Sequence, residues 1–261
     1  MNALAVTRSV LARDRAVVLL GLAAIAALSW LHVIHMAGSM PAMSSMAHVQ
    51  PWGMADFLLM FVMWAVMMVA MMLPSAAPMI LVFAGIKRRS PAAADGALAL
   101  VTALFALAYI VVWTGFSLAA TLANWALHQA GLMTSTMGST LPMAGGVLLL
   151  VAGIYQWTPL KHACLSRCRS PLAFLMTEWR TGRTGAFVMG LRHGLFCLGC
   201  CWALMALLFV LGAMNLLWIA GLAAIALIEK VAPGGAWLSR GLGLVLAAWG
   251  AWMIAAYLAQ A

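Results

Sequence analysis

The stretch MADFLLMFVMWAVMMVAMMLPSAAPM, residues 54–79, contains a single charged side chain, Asp56, in 26 residues. About 20 consecutive apolar residues are enough for a helix to cross a hydrocarbon core roughly 30 Å thick. This stretch therefore reads as a membrane helix, and it decides the fold class. The rest of the chain agrees with it: of 261 residues, 66% are hydrophobic and 7% charged, whereas soluble domains carry about 25% charged residues. Mean hydropathy is +1.07.

Working outward, runs long enough to span fall at roughly 16–35, 55–86, 97–127, 140–157, 186–212, 214–229 and 238–258, the sixth being the shortest. The expected fold is all-α, a polytopic transmembrane bundle of about seven spans forming a single membrane domain over 1–261. The first run follows RDRAVVLL and has the basic start of a signal peptide. It is too long for an h-region, and no A-x-A site follows it, so it reads as an anchor. All 14 Lys and Arg fall in segments that seven spans starting inside would place in the cytoplasm, and the opposite segments 36–54, 128–139 and 212–215 contain none. The positive-inside rule then puts the N-terminus inside and the C-terminus outside, as in a multi-pass bacterial inner-membrane protein. The net charge of +9 reflects this topology and contact with anionic lipid rather than nucleic acid. The absence of a Walker-type loop argues against an ATP-driven pump within the chain, and no residue is assigned a catalytic role.

The expected outer loop, 35–54, is rich in Met and His: His35, Met36, Met40, Met43, Met46, His48 and Met54. Thioethers are soft ligands suited to Cu(I), and imidazole accepts copper in either oxidation state. Met also fills space on a membrane-hugging loop. In the following helix, at 100° per residue, Asp56, Met60, Met63, Met67 and Met71 fall within about 80° of one another. Met68, Met72 and Met79 form an adjacent stripe, while Pro74 and Pro78 should kink the far half. Asp56 would make an anionic entrance to this ladder, since an acid at a membrane boundary is a functional candidate. Ordinary packing by flexible side chains is the competing account.

The five cysteines form two clusters. In RHGLFCLGCCWALM, 192–205, His193, Cys197 and Cys201 are spaced by four and Cys200 lies beside them, giving one broad helix face. If the expected basic cytoplasmic loop, 158–185, begins as an interfacial helix, Cys164 and Cys168 share a face one turn apart. Lys161, Arg167 and Arg169 nearby would favour the thiolate there. Three accounts compete: soft-metal binding, a thiol-disulfide electron carrier built on the C-x-x-C of CLGC, and Cys as a small buried hydrophobe. The same donors accept Zn(II).

The segments MWAVMMVAMMLPSAAPM (63–79), PLKHACLSRCRSP (159–171), GLRHGLFCLGCCWALMALLFVLGAMN (190–215) and EK (229–230) together resemble a bacterial family of uncharacterised membrane proteins. That family is labelled predicted metal-binding integral membrane protein, with some members labelled copper chaperone. The resemblance implies metal binding and gives no transport direction. The resulting expectation is a Cu(I)-handling membrane protein that binds, transfers or transports the ion. Its ligands would be His35, Met36, Met40, Met43, Asp56, Met60, Met63, Met67 and Met71 toward the outside, and Cys164, Cys168, His193, Cys197, Cys200 and Cys201 toward the inside. Its partners would be the bilayer and a cytosolic or membrane copper protein, and it could serve as an assembly subunit of a membrane copper enzyme. Glu229 is expected to pair with Lys230 or Arg192.

Overall fold

The computed structural model describes residues 3–44, 53–88, 95–130 and 142–259. Every regular element among them is a helix: α1 (Ala3–Ser44), α2 (Met54–Arg88), α3 (Asp95–Gln129), α4 (Pro142–Tyr155), α5 (Pro159–Arg169), α6 (Pro171–Glu178), α7 (Gly182–Ala206), α8 (Leu208–Leu211), α9 (Leu216–Val231) and α10 (Gly235–Leu258). The fold is therefore all-α, as composition requires.

Five segments are long and apolar enough to cross a membrane: Arg15–Gly38, Met54–Arg88, Ala97–Gln129, Gly182–Leu211 and Gly235–Leu258. A sixth is reached if α4 and α5, bent by 63° at their junction, count as one. The short run at 214–229 falls below this measure. Asn215 starts α9 by accepting from Leu217 N and Trp218 N, and the helix ends at Val231 after 16 residues. At 1.5 Å per residue it is about 24 Å long, less than a hydrocarbon core.

One expected loop is helical in its first part, and the other carries the helix its start allowed for. His35 to Ser44 continue α1 through Met and Ala, which are good helix formers, so His35, Met36, Met40 and Met43 lie on helical backbone. Met46 and His48 lie outside the described residues. The segment 158–185 is largely helical: Thr158 caps α5 by accepting from Lys161 N at 3.3 Å, with Pro159 in the first turn, and Pro171 opens α6.

Glycines set the closest helix pairings. A methyl group at Gly153 on α4 would stand 2.6 Å from Ala247 N on α10, and one at Gly250 on α10 would stand 2.6 Å from Gly146 O. On α7, a methyl at Gly190 would run into Phe105 O of α3, and one at Gly194 would come within 2.8 Å of Val112 Cγ2. Lipid tails are as apolar as the side chains, so close backbone approach at small residues does much of the work of helix association. This seats α7 on α3 and α10 on α4.

Helix α2 runs through the core, with Met63, Trp64, Met67, Met68, Met71, Met72, Met79 and Phe83 all buried. Trp64 stacks on Phe209 of α8, and Phe83 stacks on Phe105 of α3. Pro74 has no N–H to offer Ala70 O, four residues earlier. Trp30 of α1 takes its place, donating Nε1 to Ala70 O at 3.1 Å.

Candidate metal centre

Cys197, Cys200 and Cys201 lie near the midpoint of the Gly182–Leu211 span and are buried. The Cys200 thiol donates to Cys197 O at 3.2 Å, and its sulfur is 3.3 Å from that of Cys201. The 63° turn after α4 brings α5 across this face, with the Cys164 sulfur against Gly199, and one turn on, buried Cys168 comes close to Cys197 and Cys200. Four thiols from two helices therefore meet.

Two further helices complete the surroundings. Lys230, at the end of α9, is buried and donates from Nζ to Cys197 Sγ at 3.0 Å and to Ser75 Oγ at 2.8 Å. Its Nζ is also 3.9 Å from Met72 Sδ. On α3, the Tyr109 hydroxyl donates to Met72 O at 3.0 Å and is 3.0 Å from Cys197 Sγ. Ser75 donates to the same carbonyl at 2.8 Å. A buried cation is costly unless it is paired and hydrogen-bonded. Here its bonds are charge-assisted, roughly twice as strong as neutral ones.

The other sequence candidates are dispersed. His193 is buried among Tyr109, Phe105 and Phe174 rings, with centroids 5.5, 6.1 and 5.6 Å away, and its Nδ1 has no hydrogen-bond partner. Cys164 is half-buried, its sulfur facing Gly199 of α7. Met60, Met63, Met67 and Met71 are buried as a row. Met60 Sδ accepts from Asn124 Nδ2 at 3.9 Å, and Met71 lines a groove with Trp30, Pro74 and Ala223. Met72, of the adjacent stripe, is the methionine beside Lys230. Asp56 is exposed and accepts from Gly53 N at 2.9 Å, the return half of a capping box. His35 is exposed and Met36 half-buried; the side chains of Met40 and Met43 lie outside the described ones.

The basic residues expected to act on Cys164 and Cys168 are engaged elsewhere. Lys161 is fully buried and bonds both carboxylate oxygens of Glu229, at 2.9 and 2.8 Å, as well as Gln156 Oε1. Arg169 donates to Ala232 O and Pro233 O at 2.8 and 2.9 Å. Arg167 donates to Thr177 Oγ1 at 3.0 Å. The expected Glu229 pairings are also replaced: its partner is Lys161, Lys230 goes to Cys197, and Arg192 pairs with Glu178. Successive residues on a helix are 100° apart, so Glu229 and Lys230 face different neighbours. Sequence reasoning missed Lys230, Tyr109 and Ser75; the available signal was a lysine closing an apolar run.

Soft donors, a sheltered interior and one fixed positive charge suit a monovalent soft cation held by thiolates. The thiols are closed on one another, and among the described residues no group of three or more His, Cys, Asp or Glu is arranged around one point as a ready metal site. Sulfurs sharing a tetrahedral ion at about 2.3 Å each stand farther apart than 3.3 Å. A captured ion would therefore displace thiol protons and part the Cys200 and Cys201 sulfurs now in hydrogen-bond contact.

No curated protein and no solved structure matches this chain. The sequence model of one family, described as PpoB2 copper chaperone, matches residues 61–253, a range that takes in α3 to α9, all four clustered thiols and Lys230. The chain belongs to this copper chaperone family.

Proposed function

We propose that this protein is a membrane copper chaperone, and that its cargo, Cu(I), is held by thiols drawn from Cys168, Cys197, Cys200 and Cys201. The observation that carries this reading is the gathering of four buried thiols from two helices, one of them, Cys197, bonded to the Lys230 ammonium. Membership of a copper chaperone family supports it. Two thiolates on one monovalent ion leave a single negative charge, which the ammonium offsets. In water-free surroundings that balance is worth far more than at a surface.

In the proposed route, His35, Met36, Met40, Met43 and Asp56 gather the ion outside a bacterial inner membrane, with the N-terminus cytoplasmic. The thioethers of Met60, Met63, Met67 and Met71 then pass it inward, and half-buried Cys164 and buried His193 flank the exchange with a copper-protein acceptor. Exchange is faster at thioethers than at thiolates, so affinity rising toward the thiols favours inward movement. The test is metal analysis by mass spectrometry of protein purified under reducing conditions, wild type beside a Cys197/Cys200/Cys201→Ser variant. Near-stoichiometric copper in the wild type and loss of most of it in the variant is the expected result. A wild type that takes up no metal after Cu(I) loading, or that takes Zn(II) in preference, overturns the reading.

A second reading is favoured by Cys168 lying against both cysteines of CLGC from a different helix. In it, the C-x-x-C passes reducing equivalents by disulfide exchange. Cys197→Ser or Cys200→Ser would then accumulate a mixed disulfide with a partner, which loss of a metal ligand does not produce.

A further inference from the structure

Cys168 is the one clustered thiol that α7 does not supply. Its place depends on where α5 sits, and α5 is joined to the rest of the molecule by a polar network with no contact to the thiols themselves. Lys161, in the first turn of α5, is fully buried, and both oxygens of the equally buried Glu229 accept from its Nζ. Gln156, in the α4–α5 turn, accepts from the same nitrogen. Ser239 of α10 donates to Glu229 Oε1 at 2.7 Å and to Gly235 O at 3.1 Å. At the far end of α5, Arg169 holds the carbonyls of Ala232 and Pro233, just past α9. Tyr155, before the turn, donates to Gly199 O on α7. The helix is thus fixed at both ends to the α9–α10 corner, and its Cys168 side is turned to α7.

A fully buried ion pair is a poor choice for stability alone, because apolar residues of similar volume do as well or better. Directional bonds, in contrast, define one register for the helix that bears them. Glu229 and Lys230 are consecutive: one fixes α5, the other touches Cys197. One turn of α9 therefore sets both halves of the thiol cluster.

We infer that Glu229 and Lys161 are positioning residues, whose buried ion pair, completed by Gln156 and Ser239, holds α5 so that Cys168 reaches Cys197 and Cys200. As a statement about a copper site this rests on the reading above; as a statement about thiol proximity it stands on its own.

The experiment uses the full chain in detergent, treated with diamide. Diamide takes up two hydrogens and is reduced to the hydrazine as two adjacent thiols give up their protons and one electron pair to form a disulfide. Peptide mapping then follows the disulfide between Cys168 and Cys197 or Cys200. The wild type is expected to form it readily. Lys161→Met/Glu229→Leu leaves no lone buried charge and keeps the fold, yet should form it at least about tenfold more slowly, because the directional seat is gone. A wild-type rate in that double variant overturns the inference. If it does not purify as a single species, Ser239→Ala decides: removal of one hydrogen bond to the Glu229 carboxylate should slow the cross-link at least about threefold, and an unchanged rate overturns the inference. Lys161→Arg, which keeps the charge, should recover part of the lost rate. Cu(I) loading of the wild type is read in parallel. Absence of copper binding with a normal cross-link pattern refutes the copper reading while leaving the positioning role intact.

Discussion

Lys230 is the residue whose role differs most from its appearance in the chain. As the last charge of an apolar run it looks like a topology marker, one of the basic residues that hold a helix end in the cytoplasm. In the folded chain it is buried, with bonds to a thiol and a hydroxyl and a thioether close by. Lys230→Met keeps the stem and removes the charge, so a bis-thiolate complex loses its offsetting cation. Because hydrogen bonds to charged groups contribute about 1.5–3 kcal/mol, affinity for Cu(I) should fall about tenfold or more. Competition against a chromophoric Cu(I) chelator measures this, and an unchanged affinity shows that the ammonium does not face the bound ion. Asp56 illustrates the opposite case: the sequence presents it as an entrance, and the structure shows it bonded to the backbone at the start of α2.

At the scale of elements, α5 is where the sequence was least legible. Its basic residues read as the start of a cytoplasmic loop, at most an interfacial helix, yet Lys161 and Cys168 are buried. The cause is a partner 68 positions away, which no local pattern reveals. The one-turn spacing of Cys164 and Cys168 was legible, as was the thiol face of α7, because both follow from helical geometry alone. The α3–α7 contact runs over Gly190 and Gly194, and their four-residue spacing does not name the facing helix. Gly190→Val pushes a side chain into the backbone of α3, and rigid overpacking of this kind should cost about 3 kcal/mol. Gly115→Ala, on α3 where a methyl meets nothing within 4 Å, should be neutral or stabilising by up to about 1 kcal/mol. Thermal unfolding of the two detergent-solubilised variants checks the contrast, and equal midpoints would mean the α3–α7 approach is looser than described.

Over the whole molecule, composition was sufficient for the fold class, because 66% hydrophobic residues leave few alternatives to a membrane bundle. Span counting was less secure: α4 turns away after 14 residues and α9 ends after 16, both set by caps, turns and prolines rather than by hydropathy. Helix neighbours were not legible at all, and these decide that Met72, rather than the Met60–Met71 row, stands beside Lys230. If that row nevertheless conducts the cargo, replacing Met60, Met63, Met67 and Met71 by Leu should leave the fold intact, since each near-isosteric change costs less than about 1.5 kcal/mol. Copper accumulated by cells expressing the variant should then fall to the level of cells lacking the protein. Unchanged accumulation with a normally purified variant removes the row from the pathway.

The family match begins at residue 61, so α1 lies outside it. The hydrogen bond from Trp30 to Ala70 O nonetheless crosses that boundary. A proline in a spanning helix leaves a carbonyl that bilayer lipid cannot satisfy, and in this chain the missing donor comes from a helix outside the matched residues. Within this chain, the matched residues depend on α1 for that bond. Any relative with the same proline but no such first helix has to meet it from elsewhere, through a water molecule, a side chain on another helix or a second subunit.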